Sequence, residues 1–321
     1  MKSWQQPFLW LALLLIAVVA ALPILLGSVT LREDLFLILE VVVFASSVNI
    51  ITGYTGYVSF GHIVFLGLGG YFAFYLVMNL GMHFAVAALI AGIGASLFAL
   101  LLGWPILRLR GSYFALATIG INEAVSAFMS NFDPLGGSIG MTFNMSIYDA
   151  YGGARNAGQY AYYAMTAVAL LTVAASFIVK KSKFGLGLMA IREDQDEARV
   201  LGINPARYKL MAYVISAFFP ALAGAIFYFK QGTIDPGAFP LLSSIEGLVM
   251  MMLGGYGTVS GPIIGAVLYD RLRETLLTSD FFSSFHLFIA GALLLVIVLF
   301  ITAGVVGFLR QRFPMLRRVL E

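Results

Sequence analysis

Long apolar runs alternate with short polar breaks along almost the whole chain. A helix needs about 20 mostly apolar residues to cross a bilayer. Runs of that kind occupy 8–30, 35–52, 60–79, 84–107, 113–130, 160–179, 209–230, 242–254, 260–278 and 285–309. The pattern predicts an all-α integral membrane protein: a polytopic helical bundle of about ten segments in one transmembrane domain over residues 1–321. Two segments are unusual. The run 242–254 is short, and 260–278 carries Asp270, Arg271, Arg273 and Glu274 in its second half. Short or Gly-broken segments are tolerated at membrane depth where they line a cavity or lie against protein. The first run, Phe8 to Leu26, exceeds the apolar core of a cleaved signal peptide and lacks a small-residue cleavage site, so it reads as an uncleaved span.

Composition agrees with this reading. The 321 residues are 60% hydrophobic and 11% charged, against about 25% charged in soluble domains. The net charge of +3 does not point to nucleic acid, because the basic residues cluster at the ends of apolar runs. They follow the positive-inside rule instead. With the N-terminus inside, 14 basic residues fall on the cytoplasmic side and 5 outside. This predicts cytoplasmic N- and C-termini, a cytoplasmic loop at 180–209 and an external loop at 131–159. Tyr148, Tyr151, Tyr160, Tyr162 and Tyr163 in and after the external loop read as an interfacial belt. There are no cysteines, so disulfides and thiolate chemistry are excluded.

The loop 180–209 concentrates charge. It holds 11 of the charged residues of a chain with only 19 basic and 16 acidic ones. Within it, Gly185 to Gly202 reads as a short amphipathic helix. Leu188, Ile191, Ala198 and Leu201 share one face with Gln195 between them. Arg192 with Asp196, and Asp196 with Arg199, are spaced to pair on the polar face. Gly202 suits a helix stop, and Asn204-Pro205 a cap and first turn for the next helix. A plain connector needs no apolar face. This one suits docking on a protein or on lipid headgroups.

A weak internal echo links Gly56-Tyr57-Val58-Ser59-Phe60-Gly61 to Gly257-Thr258-Val259-Ser260-Gly261. Each follows an apolar run with one glutamate, Glu40 or Glu246, which suggests an internal duplication of the kind found in transporters. Backbone dipoles at Gly53, Gly56, Ser59, Gly257, Ser260 and Gly261 are candidates to steady a zwitterion near the midplane. Gly61, Gly67, Gly70 and Ala73 form a small-residue face suited to close helix packing. Glu123 sits in the middle of 113–130, where a charged group costs about 2.5–3.5 kcal/mol on insertion scales. It must face protein or water, as a pathway or interface group or as a neutral hydrogen-bonded acid. Glu40 and Glu246 lie nearer span ends. His62, His83 and His286 are scattered, so no metal site is expected.

Several motifs together carry a family resemblance. Ser182-Lys183-Phe184-Gly185, Ala190-Ile191-Arg192-Glu193-Asp194, Glu197-Ala198 with Gly202-Ile203-Asn204, and Tyr208-Lys209 resemble the coupling loop of bacterial branched-chain amino acid ABC transporter permeases of the LivM type. Gly53-Tyr54-Thr55-Gly56-Tyr57-Val58-Ser59-Phe60-Gly61-His62 is similar to the family's G-Y-x-G-x-x-S-x-G-H stretch. Arg108-Leu109-Arg110-Gly111 with Tyr113 and Ala115 resembles R-L-R-G-x-Y-x-A. Gly136-Gly137 with Gly140 resembles T-G-G-x-x-G, and Leu253-Gly254-Gly255 through Gly261-Pro262 resembles L-G-G-x-G-[ST]-x-x-G-P. The likeness covers about residues 35–305. Where importers in general have E-A-A-x-x-x-G, this chain has Asp196-Glu197-Ala198 and keeps Gly202.

The resemblance implies a permease subunit, not an enzyme, that forms half of a pathway with a second, LivH-like permease. Two cytoplasmic ABC ATPases would supply the energy, and a periplasmic binding protein would deliver branched-chain amino acids. Arg192, Glu193, Asp194, Glu197 and Gly202 would be the ATPase-docking residues. No cofactor is expected, and the chain has no G-x-x-x-x-G-K-[ST] phosphate loop of its own. Urea and short-chain amide permeases share the pattern, which leaves those substrates open. An ion-driven secondary transporter would not need a docking loop, a membrane enzyme would need convergent catalytic groups, and a passive channel would not depend on an ATPase.

Overall fold

The computed structural model describes Val19, Leu22, residues 27–278 and residues 304–312. The expected spans 8–30 and 285–309 lie mostly outside these residues. Ser28 caps α1 (Val29–Val48) by accepting from the Leu31 N–H at 3.2 Å. The helix then widens into a π-turn at Asn49–Gly53. A non-helical stretch leads to α2 (Ile63–Leu80), and α3 (Phe84–Ile106) and α4 (Ser112–Ser130) follow. The segment between α4 and the next long helix carries a two-residue strand, β1 (Met141–Thr142), and a single turn, α5 (Ser146–Asp149). Next come α6 (Ala154–Lys181), two short helices α7 (Lys183–Glu193) and α8 (Gln195–Val200), and α9 (Pro205–Gln231). Strand β2 (Thr233–Ile234) pairs antiparallel with β1, Met141 opposite Ile234. The described chain ends with α10 (Leu241–Gly254), α11 (Ser260–Thr278) and α12 (Gly304–Arg312).

Among the described residues, six helical segments are long and apolar enough to cross a membrane: Val29–Gly53, Ile63–Leu80, Phe84–Ile106, Ala154–Lys181, Pro205–Gln231 and Pro236–Gly254. The chain is a helical multi-pass membrane protein. The sequence pattern also places α4 and α11 correctly as helices, but their polar content keeps them below that standard.

On α3 the packing is that of a helix against lipid, with small residues inside and large apolar ones outside. Ala87, Ala91, Ala95 and Ala99 of α3 are fully buried, while Leu89, Ile93, Leu97 and Leu101 on the other side are half or more exposed. In water this arrangement would be backwards. Against lipid the leucines lose nothing, and the alanines let helices approach. A close approach joins α2 and α9. A Cβ on Gly69 would overlap the carbonyl oxygen of Ala221, and one on Gly224 would overlap that of Leu66. The expected small-residue face also packs: Gly67 lies against the Phe239 ring and Gly70 against Tyr228 and Ile234.

Tyr148 and Tyr162, expected as part of an interfacial belt, are buried. Tyr148 is buried and donates to the Phe229 carbonyl at 2.7 Å. Tyr162 is buried and donates to the Val19 carbonyl at 2.6 Å, whereas Tyr163 is exposed. Phe143, Tyr148, Tyr151 and Phe229 pack edge-to-face beneath the loop. Their hydroxyls find backbone partners, so the rings become core.

Candidate functional site

The charged loop is built from two helices, not the single helix its spacing predicts. Ser182 opens α7 by accepting from the Gly185 N–H at 3.1 Å. At Asp194 the backbone turns extended, with φ −153°. Its carboxylate accepts from the N–H groups of Asp196 and Glu197 at 2.7 and 2.9 Å. An aspartate that caps a new helix at its own position ends the old one. The later signals hold. Gly202 takes φ +83° with its N–H on the Arg199 carbonyl at 2.9 Å, and Asn204 caps α9 with Pro205 in its first turn.

Leu188, Ile191 and Ala198 are buried as their spacing implies, but Leu201 is 76% exposed and Val200 88%. Glu193, Asp194, Glu197 and Gly202 are also exposed, so acids and an apolar tip share one accessible surface. Asp196 pairs with Arg199 at 3.0 Å as expected. Its other partner is Arg110, which grips it with two bonds of 3.0 Å, and Arg192 pairs instead with Glu193 at 3.2 Å. The Arg110 hydrogen bonds hold the Asp196 carboxyl below its ordinary range and raise Arg110 in turn.

Arg192 connects the loop to both glycine breaks. Its Nη1 donates to the Gly53 carbonyl at 3.1 Å, and its guanidinium lies 5.2 Å from the Tyr256 ring centre. Gly257, at φ +71°, comes so close that a Cβ there would stand 2.6 Å from Nη1 and 3.1 Å from the Gly53 oxygen. A second residue ties the breaks to each other. Asn49 is fully buried in the π-turn, donating to the Thr258 carbonyl at 2.8 Å and accepting from the Gly257 N–H at 2.9 Å. π-turns recur at functional sites because they displace one residue from the helical register.

A second clamp holds the loop from its other side. The Tyr57 hydroxyl donates to Gln195 Oε1 at 2.6 Å, and Lys209 Nζ donates to the same oxygen at 3.1 Å. Lys209 is buried, gives a further bond to the Leu107 carbonyl at 2.8 Å, and sits 3.9 Å over the Tyr57 ring. Burial pushes the Tyr57 phenol up, so its hydroxyl keeps the proton it donates.

Of the other candidates, Gly56 lies against the Arg192 side chain, and Gly261 donates to Thr258 Oγ1 at 2.9 Å inside the second break. Ser59 and Ser260 are buried. Ser59 faces His62 Nδ1 at 3.3 Å, and His62 Nε2 meets Ser216 Oγ at 3.1 Å. Glu123 is exposed on α4, whose opposite face buries Phe114, Thr118 and Asn122. It does not join the cluster around Arg192. Spacing gave no sign of Asn49, Tyr57, Arg110, Gln195 and Lys209 as connectors. Tyr57, Arg110 and Lys209 stood in the family-like motifs and Gln195 on the amphipathic face, but nothing in their spacing marked them as connectors; Asn49 was visible only as a lone amide closing an apolar run.

Residues 33–298 match the family described as the branched-chain amino acid transport system permease component, and the chain belongs to that family. It is 27% identical to the high-affinity branched-chain amino acid transport system permease protein LivM of Salmonella typhimurium, over 97% of this chain and 77% of the relative. The Escherichia coli K12 LivM protein matches to the same extent. LivH of Salmonella typhimurium, named as a permease of the same kind of system, is 25% identical over 81% of this chain and 88% of its own length. No solved structure matches.

Proposed function

We propose that this chain is a permease subunit of an ATP-driven importer for branched-chain amino acids. It lies in the bacterial cytoplasmic membrane with both termini inside, loop 131–159 outside and loop 180–209 in the cytoplasm. It forms half of the translocation path with a second, LivH-like permease. Two ABC ATPases bind its cytoplasmic loop, and a periplasmic binding protein presents the substrate on the other side. The likeness to both LivM and LivH proteins supports a paired permease and the substrate class.

The observation that carries the coupling role is Arg192, which leaves the charged loop to meet Gly53 and Gly257. Glu193, Asp194, Glu197, Gly202 and the exposed apolar pair Val200 and Leu201 form the face an ATPase grips. Movement of that face reaches the two breaks through Arg192, and α9 through the Lys209–Gln195 bond. Gly53, Gly56, Gly257 and Gly261 line the moving part of the path, with Ser59 and Ser260 behind them. Glu123 faces the partner permease or the water between the two subunits, since lipid would not accept it. The test replaces Glu197 by Arg and Gly202 by Val, then measures ATPase co-purification and leucine uptake. Loss of both is expected, and normal values for both would remove the coupling role.

A further inference from the structure

Within the bundle, α1, α2, α9, α10 and α11 line a partly open cavity of about 180 Å³. Its lining is mostly apolar, with Phe44, Leu66 and Met250 among the contributors, but Glu40, Glu246 and Arg273 also reach it. Glu246 is nine-tenths buried, accepts from the Tyr269 hydroxyl at 3.3 Å, and faces Arg273 Nε at 3.6 Å. Among the described residues, no group hydrogen-bonds the Glu40 carboxylate. Asp270, Arg273 and Glu246 all act on it electrostatically. Two acids and one base thus line the pocket, and the base already faces one of the acids, Glu246. An ionisable side chain at membrane depth is costly unless a partner meets it. The two glutamates come from the two runs that precede the echoing glycine breaks, about 200 residues apart in sequence, and they meet in one space.

We infer that this cavity is an intramembrane site for the transported amino acid itself. Glu40 and Glu246 hold its ammonium group, Arg273 turns a guanidinium edge to its carboxylate, and Phe44, Leu66 and Met250 receive its branched side chain. The excess of acid over base suits the ammonium end, and the apolar lining suits an aliphatic side chain over a bare metal cation. The inference rests on the importer reading above.

The experiment measures equilibrium binding of radiolabelled leucine to the purified transporter without its binding protein. N-acetyl-leucine, which has no ammonium group, and sodium serve as comparison probes. Glu40→Gln and Glu246→Gln are each expected to weaken leucine binding by about 10- to 100-fold, the value of a hydrogen bond to a charged group. N-acetyl-leucine should bind weakly to all forms. Leu66→Trp fills the cavity without changing charge and should weaken leucine binding as well. ATPase activity stimulated by the loaded binding protein should persist in all three variants, which shows that they fold and assemble. Unchanged leucine binding in both glutamine variants, or displacement by sodium but not by leucine, would overturn the site. A wild-type transporter that moves no leucine at all would overturn the importer reading instead.

Discussion

The break at residues 53–61 and the break at 255–261 have similar sequences but are held in different ways. The first is nailed into the bundle. Phe60 N–H donates to Thr118 Oγ1 at 3.0 Å, Ile63 N–H to Ser244 Oγ at 3.1 Å, and His62 bridges Ser59 and Ser216. Those bonds reach α4, α10 and α9. The second break carries hydrogen bonds within itself, from Thr258 Oγ1 to the Gly255 carbonyl at 2.7 Å and from the Gly261 N–H to Thr258 Oγ1 at 2.9 Å. Its Tyr256 is 43% exposed. It meets the first break through Asn49 and the charged loop through Arg192. The first break is bonded to three helices, whereas the second is tied to the π-turn and to the charged loop through Asn49 and Arg192, which makes those two side chains the natural transmitters of movement between them.

The largest effect should come from breaking the core that holds the first break. Gly224→Leu drives a side chain into the Leu66 carbonyl and should leave no monodisperse protein in detergent on size-exclusion chromatography. Asn49→Leu should fold but leave the Gly257 N–H and the Thr258 carbonyl without their partner, at about 1–3 kcal/mol for each buried group. Uptake of leucine by cells should fall at least as far as the melting temperature of the purified complex would suggest. Arg192→Ala spares both breaks but cuts their link to the loop. ATP hydrolysis should continue while leucine transported per ATP drops by roughly tenfold, a factor of about 1.4 kcal/mol in coupling. Arg110→Ala should do least. The Arg110–Asp196 pair is fully solvated at the surface and contributes little. Because Arg110 holds the Asp196 carboxyl below its ordinary value, the pair is intact above about pH 4 and is lost only on further acidification. Thermal stability of wild type and variant should therefore coincide from pH 5 to pH 8.

Much of the fold is legible from hydrophobic run length alone, since α2, α3, α4, α9, α10 and α11 begin and end within a few residues of their runs. The C-terminal end of the charged loop is legible as well, because Gly202, Asn204 and Pro205 act on their own neighbours. Its interior is not. Side-chain spacing carries one face across Asp194, but the cap made by that carboxylate breaks the helix, and periodicity does not weigh a cap against a face. The tie from Asn49 to Thr258 spans 209 positions and leaves no local trace. The buried tyrosines mislead for a related reason. An aromatic with a polar tip suits a membrane interface, but it also suits a core where a backbone carbonyl waits, as Phe229 does for Tyr148.

The central claim is that loop 180–209 is the cytoplasmic handle by which an ATPase moves this chain. The chain has no cysteine, so Glu197→Cys creates a single thiol on the exposed face of α8. That thiol should resist a membrane-impermeant maleimide added to intact spheroplasts, react once the membrane is opened, and crosslink to the ATPase in the assembled transporter. Labelling from outside the intact membrane would contradict the account directly.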